Sequence, residues 1–134
     1  ARGQLLEERI RPALRRGAVV VCDRFHDSTV AYQGVGSGLG LERLDQIGKA
    51  TINNSMPDLT LLLDIPTELG FRRLGERRDR MESRTRAFHG RVRRGFRLIA
   101  RREPKRVVII DASKSAKEVE SEIWVVVCRV LGNS

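Results

Sequence analysis

Apolar residues follow two patterns along this chain. Three short, mostly apolar runs, residues 18–22, 59–65 and 106–111, predict strands, and the first shows no alternation, which is typical of a strand buried on both faces of a sheet. Between and around them, apolar residues recur at helical spacing. The apolar residues of the predicted helices are Leu5, Leu6, Ile10 and Leu14; Leu41, Leu44, Ile47 and Ala50; Leu69, Phe71 and Leu74; Phe88, Val92, Phe96 and Ile99; and Val119, Ile123, Trp124, Val127 and Leu131. Strands that alternate with helices predict an α/β fold with a three-stranded parallel sheet.

Turn and capping residues mark the predicted boundaries. Arg16-Gly17 ends the first helix, and Thr67, directly after Pro66, is a candidate helix cap. Ser113 or Ser115 begins the last helix. The alternating glycines of residues 34–40 predict a flexible loop. It does not join a strand directly to a helix, so we do not interpret it as a phosphate-binding loop.

The composition describes a globular domain. The chain has 134 residues, 40% hydrophobic and 32% charged, which fits one domain with a core. Its clearest apolar runs are too short to span a bilayer. Cys22 and Cys128 lie in apolar runs, so we expect reduced, packed thiols in a cytoplasmic protein rather than a disulfide. His26 and His89 lack metal-ligand spacing and are expected to be ordinary surface or loop residues.

The positive charge is concentrated in one segment. The chain carries a net charge of +9, and residues 72–102 hold thirteen arginines against Glu76, Asp79 and Glu82, a local net of +10. The remainder is therefore close to neutral. This distribution favours a local anion site over a surface that binds nucleic acid everywhere.

The most informative segment follows the first apolar run. That run ends in Asp23-Arg24, and Ser28, Tyr32 and Gln33 come shortly afterwards. In open parallel sheets, ligands bind beyond the carboxyl ends of strands. The planar fork of Arg suits a phosphate, and the amide of Gln suits a base edge. The segment therefore predicts a nucleotide site.

The same segment, Asp-Arg-x-x-x-Ser-Thr-x-Ala-Tyr-Gln-Gly at residues 23–34, resembles the signature of bacterial thymidylate kinases. Further matches follow the family's order along the whole chain. They are residues 1–4 and 10–14 of the first helix, Pro57-Asp58-Leu59-Thr60 running into the second strand, Asp79-Arg80-Met81-Glu82 of the lid, and Ile110-Asp111-Ala112 of the last strand.

The resemblance implies a P-loop-NTPase-type parallel sheet with flanking helices, of which residues 1–134 form one partial domain. No Gly-x-x-x-x-Gly-Lys-Ser/Thr segment occurs in the sequence, although such a loop holds the donor phosphates in these enzymes. In the family it follows the first strand, which lies at the centre of the sheet. We therefore expect a C-terminal part of a longer protein; the alternative is a paralogue that has lost its donor site.

The resemblance also implies roles on the acceptor side. Arg24 matches the residue that grips the acceptor phosphate, and Arg2 matches the arginine that donates to thymine O4. Gln33 matches the reader of the thymine N3 edge, while Ser28 and Tyr32 match groups that line the base and sugar. Asp23 either helps to hold Mg²⁺ through water or only orients Arg24, and we leave both open.

On the donor side, the resemblance implies an arginine-rich lid at about residues 72–86. Arg73, Arg77 and Arg80 are the candidates for contacting the transferred phosphate. Asp111, Ala112 and Ser113 are candidates for the adenine side. Family members commonly carry Arg where this sequence has Ser37, so the contribution of that loop to nucleotide contacts stays open.

The implied activity is transfer of the γ-phosphoryl group of ATP to dTMP with Mg²⁺, in a cytoplasmic homodimer without specific nucleic-acid or membrane partners. The closer alternative is a related nucleoside or nucleotide kinase with another base preference. The more distant alternative is a nucleic-acid-binding module built on the basic segment, with Phe88 and Phe96 as stacking platforms. Those two aromatics have helical spacing, which indicates core residues instead.

Overall fold

The computed structural model describes residues 2–75 and 85–132, in two compact units, Ala1–Met56 and Pro57–Ser134. The expected lid residues Arg77 and Arg80 lie outside the described residues.

The described part of the first unit is helical. Helix α1 (Arg2–Leu5) continues through a π-helical stretch (Leu6–Ile10) into α2 (Arg11–Arg15). Helix α3 (His26–Thr29) continues into a second π-helical stretch (Val30–Gly36), and α4 (Leu41–Thr51) follows. The first helix ends as predicted, since Gly17 has a φ of 80° that most residues disfavour.

The predicted first strand, residues 18–22, is wrong for the described structure. The segment forms no strand, and its valines are exposed, Val19 by 64% and Val21 by 92%. A strand requires a neighbouring strand for its backbone hydrogen bonds, and the described residues of this unit contain none. The described residues therefore hold two strands where three were predicted.

The second unit holds a parallel two-stranded sheet. Strand β1 (Thr60–Asp64) pairs with β2 (Val107–Asp111) in the register that sets Asp64 opposite Asp111. Both strands lie within the predicted runs, so these two predictions are confirmed. Helices α5 (Thr67–Leu74) and α6 (Arg86–Arg102) lie between them in sequence, and α7 (Ala116–Leu131) follows β2.

Helix caps agree with the sequence at one helix and differ at another. Ser115 caps α7 through a reciprocal capping box with Glu118, as one of the two predicted starts. Thr67 does not cap α5. Pro66 occupies the cap position and Thr67 is already helical, because proline's fixed φ of −54° suits the residue that enters a helix.

The glycine segment, residues 34–40, was predicted as a loop throughout, and this is wrong for its beginning. Gly34 and Gly36 are buried in the π-helical stretch, and only residues 37–40 leave the helix. A side chain at Gly34 would approach the α4 backbone at Leu41 Cα to 3.2 Å, which explains why glycine fits there.

Each unit has its own apolar core. In the first unit the buried apolar residues are Leu6, Val30, Ala31 and Ile52, and in the second they are Phe71, Phe88, Val92, Ile99, Ala100, Val107 and Ile110. The predicted core aromatic Phe88 is therefore confirmed, whereas Phe96 is half-buried.

The predicted apolar side of α7 is not buried in the described structure. No residue of the helix is buried, and Trp124 is 66% exposed. Cys22 and Cys128 are free thiols, but both are exposed rather than packed as expected. No described helix combines the length and the apolar character that crossing a membrane would require.

Candidate functional site

Arg24 is the centre of a side-chain cluster in the first unit. Its guanidinium carbon lies 4.6 Å from the centroid of the Tyr32 ring, and its Nε donates to Ser28 Oγ at 3.4 Å. Ser28 and Tyr32 face Arg24 because they lie four and eight residues further along, on successive turns of α3 and its π-helical continuation. The structure thus brings together three of the residues that sequence analysis assigned to the acceptor.

The backbone of Arg24 is strained. Its φ of 62° lies in the left-handed region, where a residue with a β-carbon is uncommon. Such strain costs of order 1–3 kcal/mol and persists at sites where the surrounding structure fixes the residue for a function. This turn places the Arg24 side chain next to Ser28 and Tyr32, and α3 begins two residues later.

The other predicted acceptor residues lie in the same unit. The Arg2 guanidinium carbon is 5.7 Å from the ring centroid of Phe25, the neighbour of Arg24. Gln33 follows Tyr32 and is exposed. Asp23 is also exposed, directly before Arg24 in sequence. Both predicted roles of Asp23, holding Mg²⁺ through water and orienting Arg24, stay predictions.

His26 is not the surface or loop residue that was predicted. It is the first residue of α3 and is only 1% exposed. Its Nε2 lies 2.8 Å from Asp45 Oδ1 on α4, and Lys49 Nζ lies 2.9 Å from Asp45 Oδ2. Partial burial acts to raise the pKa of Asp45, but hydrogen bonds from Lys49 and His26 outweigh it and hold the pKa below its ordinary value.

The lowered pKa of Asp45 predicts a pH-dependent contribution to stability. A carboxyl group whose folded pKa is depressed stabilises the fold above its unfolded pKa, and the contribution is lost as pH falls through the folded pKa. Asp45→Asn should therefore lower the free energy of unfolding by about 1 kcal/mol at pH 7, the scale of a partly exposed ion pair. Urea unfolding of the complete protein should show this difference shrinking below about pH 4. An equal loss at pH 7 and pH 3 would contradict the assignment.

The donor-side candidates meet in the second unit. The two terminal nitrogens of Arg73 on α5 donate to the carbonyl oxygens of Ala112 and Ser113, at 2.7 and 2.6 Å. Asp111 accepts from the backbone N–H of Ser113 at 2.9 Å. The side-chain and backbone hydrogen bonds from Ser113 lower the pKa of Asp111. Arg73 and Asp111 therefore both form hydrogen bonds with the segment after β2.

Part of the basic segment is neutralised locally. Asp64, at the end of β1, accepts hydrogen bonds from Arg93 Nε at 2.9 Å and from Arg97 Nη1 at 3.1 Å. These bonds connect α6 to the carboxyl end of β1 and raise the pKa of Arg93. Arg86 pairs with Glu68 at 2.9 Å. Arg86, Arg93 and Arg97 thus each pair with a carboxylate of the same unit.

The second histidine also differs from the prediction. His89 lies on α6, where its ring makes edge contacts with Phe71 and Phe88 at centroid distances of 5.3 and 5.5 Å. It is therefore a packing residue of the second unit.

Within residues 2–75 and 85–132, no cluster of three or more His, Cys, Asp or Glu residues could hold a metal ion by itself. Mg²⁺ in phosphoryl-transfer sites is usually held by one or two carboxylates together with substrate phosphates. The exposed carboxylate of Asp23, next to Arg24, has the chemistry for that arrangement.

Sequence reasoning missed the His26–Asp45–Lys49 network and the Asp64–Arg93–Arg97 cluster. In each group one member lies on a different element from the other two, His26 19 residues from Asp45 and Asp64 29 or more residues from the two arginines. Hydrophobic periodicity carries no information on such pairings. The local signals were the four-residue spacing of Asp45 and Lys49 on one helix and the charge of Asp64 at the end of an apolar run, where a buried carboxylate needs a partner.

Comparison with known proteins matches this chain to one family. The family model described as thymidylate kinase matches residues 1–123. The thymidylate kinase of Deinococcus radiodurans is 46% identical over 129 residues, covering 95% of this chain, and that of Desulfovibrio desulfuricans is 49% identical over 127 residues, covering 88%. The crystal structure of thymidylate kinase from Ehrlichia chaffeensis superposes with a TM-score of 0.69 at 32% identity and covers 94% of this chain.

The chain is shorter than these relatives. It spans 63% of the Deinococcus protein, 58% of the Desulfovibrio protein and 58% of the Ehrlichia chain. The matched region nevertheless contains both the Arg24 cluster and the segment after β2. The chain therefore belongs to the thymidylate kinase family.

Proposed function

We propose that the protein containing this chain transfers the γ-phosphoryl group of ATP to dTMP and forms dTDP. The observation that carries the proposal is the Arg24 cluster, in which a guanidinium on a strained turn lies 4.6 Å from the Tyr32 ring. An arginine held in this way is pre-organised for a phosphate, because its rigid fork matches two phosphate oxygens at once. Family membership supports dTMP as the molecule that carries that phosphate.

The proposed acceptor roles are those that the family resemblance implies. Arg24 binds the phosphate of dTMP, and Tyr32 packs against the sugar, where its ring excludes a 2′-hydroxyl group. Ser28 lines the same pocket. Arg2 donates to thymine O4 and Gln33 pairs with the N3 edge, which together select thymine over other bases.

The proposed chemistry relies on positioning and charge. A phosphate monoester is largely dianionic at pH 7, so the acceptor needs no general base. Positive charge on the oxygens of the transferred group lowers the barrier instead. Arg73, Arg77 and Arg80 are the proposed sources of that charge, although Arg73 is bonded to the carbonyls of Ala112 and Ser113 in the described structure.

On the donor side, Asp111, Ala112 and Ser113 are proposed to border the adenine of ATP. Mg²⁺ neutralises phosphate charge when bound, and Asp23 would hold it through water. We also expect a cytoplasmic homodimer without a specific nucleic-acid partner. The burial of Phe88, which is 5% exposed, leaves little aromatic surface on α6 for stacking against bases.

The direct test is acceptor selectivity of the protein encoded by the complete open reading frame. We expect ATP-dependent phosphorylation of dTMP with a kcat/KM at least about 100-fold above those for dCMP and dGMP, because a mismatched base leaves Arg2 or Gln33 unpaired. A coupled ADP-release assay measures this. A preference for another monophosphate would favour the related-kinase alternative, and steeply salt-dependent DNA binding without turnover would favour a nucleic-acid-binding module.

A further inference from the structure

We propose that His26 is a positioning residue for Arg24, acting through its buried contact with Asp45 on α4. This inference rests on the proposed function, since it assigns Arg24 to the acceptor phosphate. It adds a buried contact, between residues that do not bind dTMP themselves, that holds the strained turn at Arg24 in place.

The contacts of His26 are unusually constrained. The side chain is 1% exposed, its Nε2 lies 2.8 Å from Asp45 Oδ1, and its Nδ1 is buried without a hydrogen-bond partner among the described residues. An unsatisfied buried nitrogen costs free energy that an apolar side chain would avoid. The histidine is therefore poorly explained as ordinary core packing.

Gly48 on α4 leaves the space that the His26 ring occupies. A β-carbon added there would lie 2.1 Å from His26 Cε1 and 2.5 Å from Nδ1, closer than any real contact. Glycine inside a helix costs about 1 kcal/mol relative to alanine. Helix α4 thus has a helix-destabilising glycine, Gly48, at the position against which the His26 ring packs.

The location of this contact links it to the acceptor site. His26 is two residues after Arg24 and begins α3, which also carries Ser28 and continues into Tyr32. Arg24 lies in the left-handed region, so its turn is held by its surroundings rather than by its own preference. Fixing His26 to Asp45, which is also paired with Lys49, fixes the first residue of the helix that follows that turn.

The test is a double-mutant cycle in the complete protein, with KM measured separately for dTMP and ATP. We expect His26→Ala to raise KM for dTMP about tenfold and KM for ATP less than about twofold, because a small displacement of a binding group is costly. Gly48→Ala should have a similar effect by displacing the ring. In the double variant the clash is absent, so its KM should be no worse than that of His26→Ala alone.

Gln46→Ala is the matched control, because Gln46 is exposed on the same helix beside Asp45. We expect its kinetic constants to match the unmodified protein. Equal rises in the two KM values, or effects of His26→Ala and Gly48→Ala that multiply in the double variant, would overturn the proposal.

A measurement without turnover separates this proposal from the proposed function. The NMR signal of the Arg24 Nε–H, assigned by its loss in Arg24→Lys, should be sharp in the unmodified protein and broadened in His26→Ala and Gly48→Ala. If the protein phosphorylates no dTMP but these signals change as expected, only the proposed function fails. Unchanged signals in folded variants would overturn the positioning role.

Discussion

Arg24→Ala should lower kcat/KM for dTMP by about 10³-fold, because truncating one partner of a buried or bidentate charge pair costs roughly 2–5 kcal/mol. Arg24→Lys retains the charge but loses the fork and the planar contact with Tyr32. We expect a loss of roughly 10–100-fold for that variant. Steady-state kinetics of the complete protein with dTMP as the varied substrate measure both effects.

Arg43→Ala is the matched control, since Arg43 is an exposed arginine on α4 of the same unit. Its kcat/KM should stay within about twofold of the unmodified value, because isolated surface charges contribute little. A loss for Arg24→Ala of less than about threefold, or an equal loss for Arg43→Ala, would mean that Arg24 does not bind the acceptor phosphate.

The strain at Arg24 adds a second readout of the same prediction. Glycine adopts a φ of 62° without steric cost, so Arg24→Gly should be more stable than Arg24→Ala by about 1 kcal/mol. Both variants should lose activity to the same extent. This combination of a more stable fold with unimproved activity distinguishes a functional side chain from a structural one.

Much of the second unit could be predicted from sequence because local signals determine it. The runs that became β1 and β2 are apolar without alternation, β2 being β-branched throughout its apolar part, and each ends in an aspartate at the same edge of the sheet. Ser115 and Glu118 stand three residues apart, the spacing of a capping box. These features depend on neighbours in sequence.

The first unit shows where such prediction stops. Residues 18–22 have the composition of a buried strand, but a strand exists only where another strand accepts its hydrogen bonds. The cluster of Arg24, Ser28 and Tyr32 could be predicted because its spacing matches a family signature. The burial of His26 could not, because its partner Asp45 lies 19 residues away on another helix.

The second large effect concerns the chain taken alone. We expect the 134-residue polypeptide to show no ATP-dependent phosphorylation of dTMP above background, whereas the complete protein turns over. The reason is that ATP would not be held correctly, because the sequence contains no Gly-x-x-x-x-Gly-Lys-Ser/Thr loop to bind its β- and γ-phosphates. Without positioned phosphates, both the proximity and the electrostatic contributions to phosphoryl transfer are absent.

We also expect the isolated chain to be poorly packed. Large apolar side chains are exposed in both units, among them Val21, Leu63, Ile109 and Trp124 at 92%, 52%, 44% and 66%. Covering such surface contributes about 25 cal/mol per Å², so leaving it in water removes much of the small net stability of a domain. The isolated chain should therefore melt over a broad range and exchange its amide protons quickly.

Trp124 provides the measurement, because it is the single tryptophan of the chain. In the isolated chain its fluorescence should be red-shifted and its near-UV circular dichroism weak, as in a loosely packed state. In the complete protein we expect a blue-shifted emission, a sharp melt and turnover of dTMP, because the added segment would cover the apolar surfaces and supply the donor loop. Turnover by the bare chain would show that our account of the donor site is wrong. A sharp cooperative melt with slow amide exchange would instead show that the exposed apolar residues do not limit its packing.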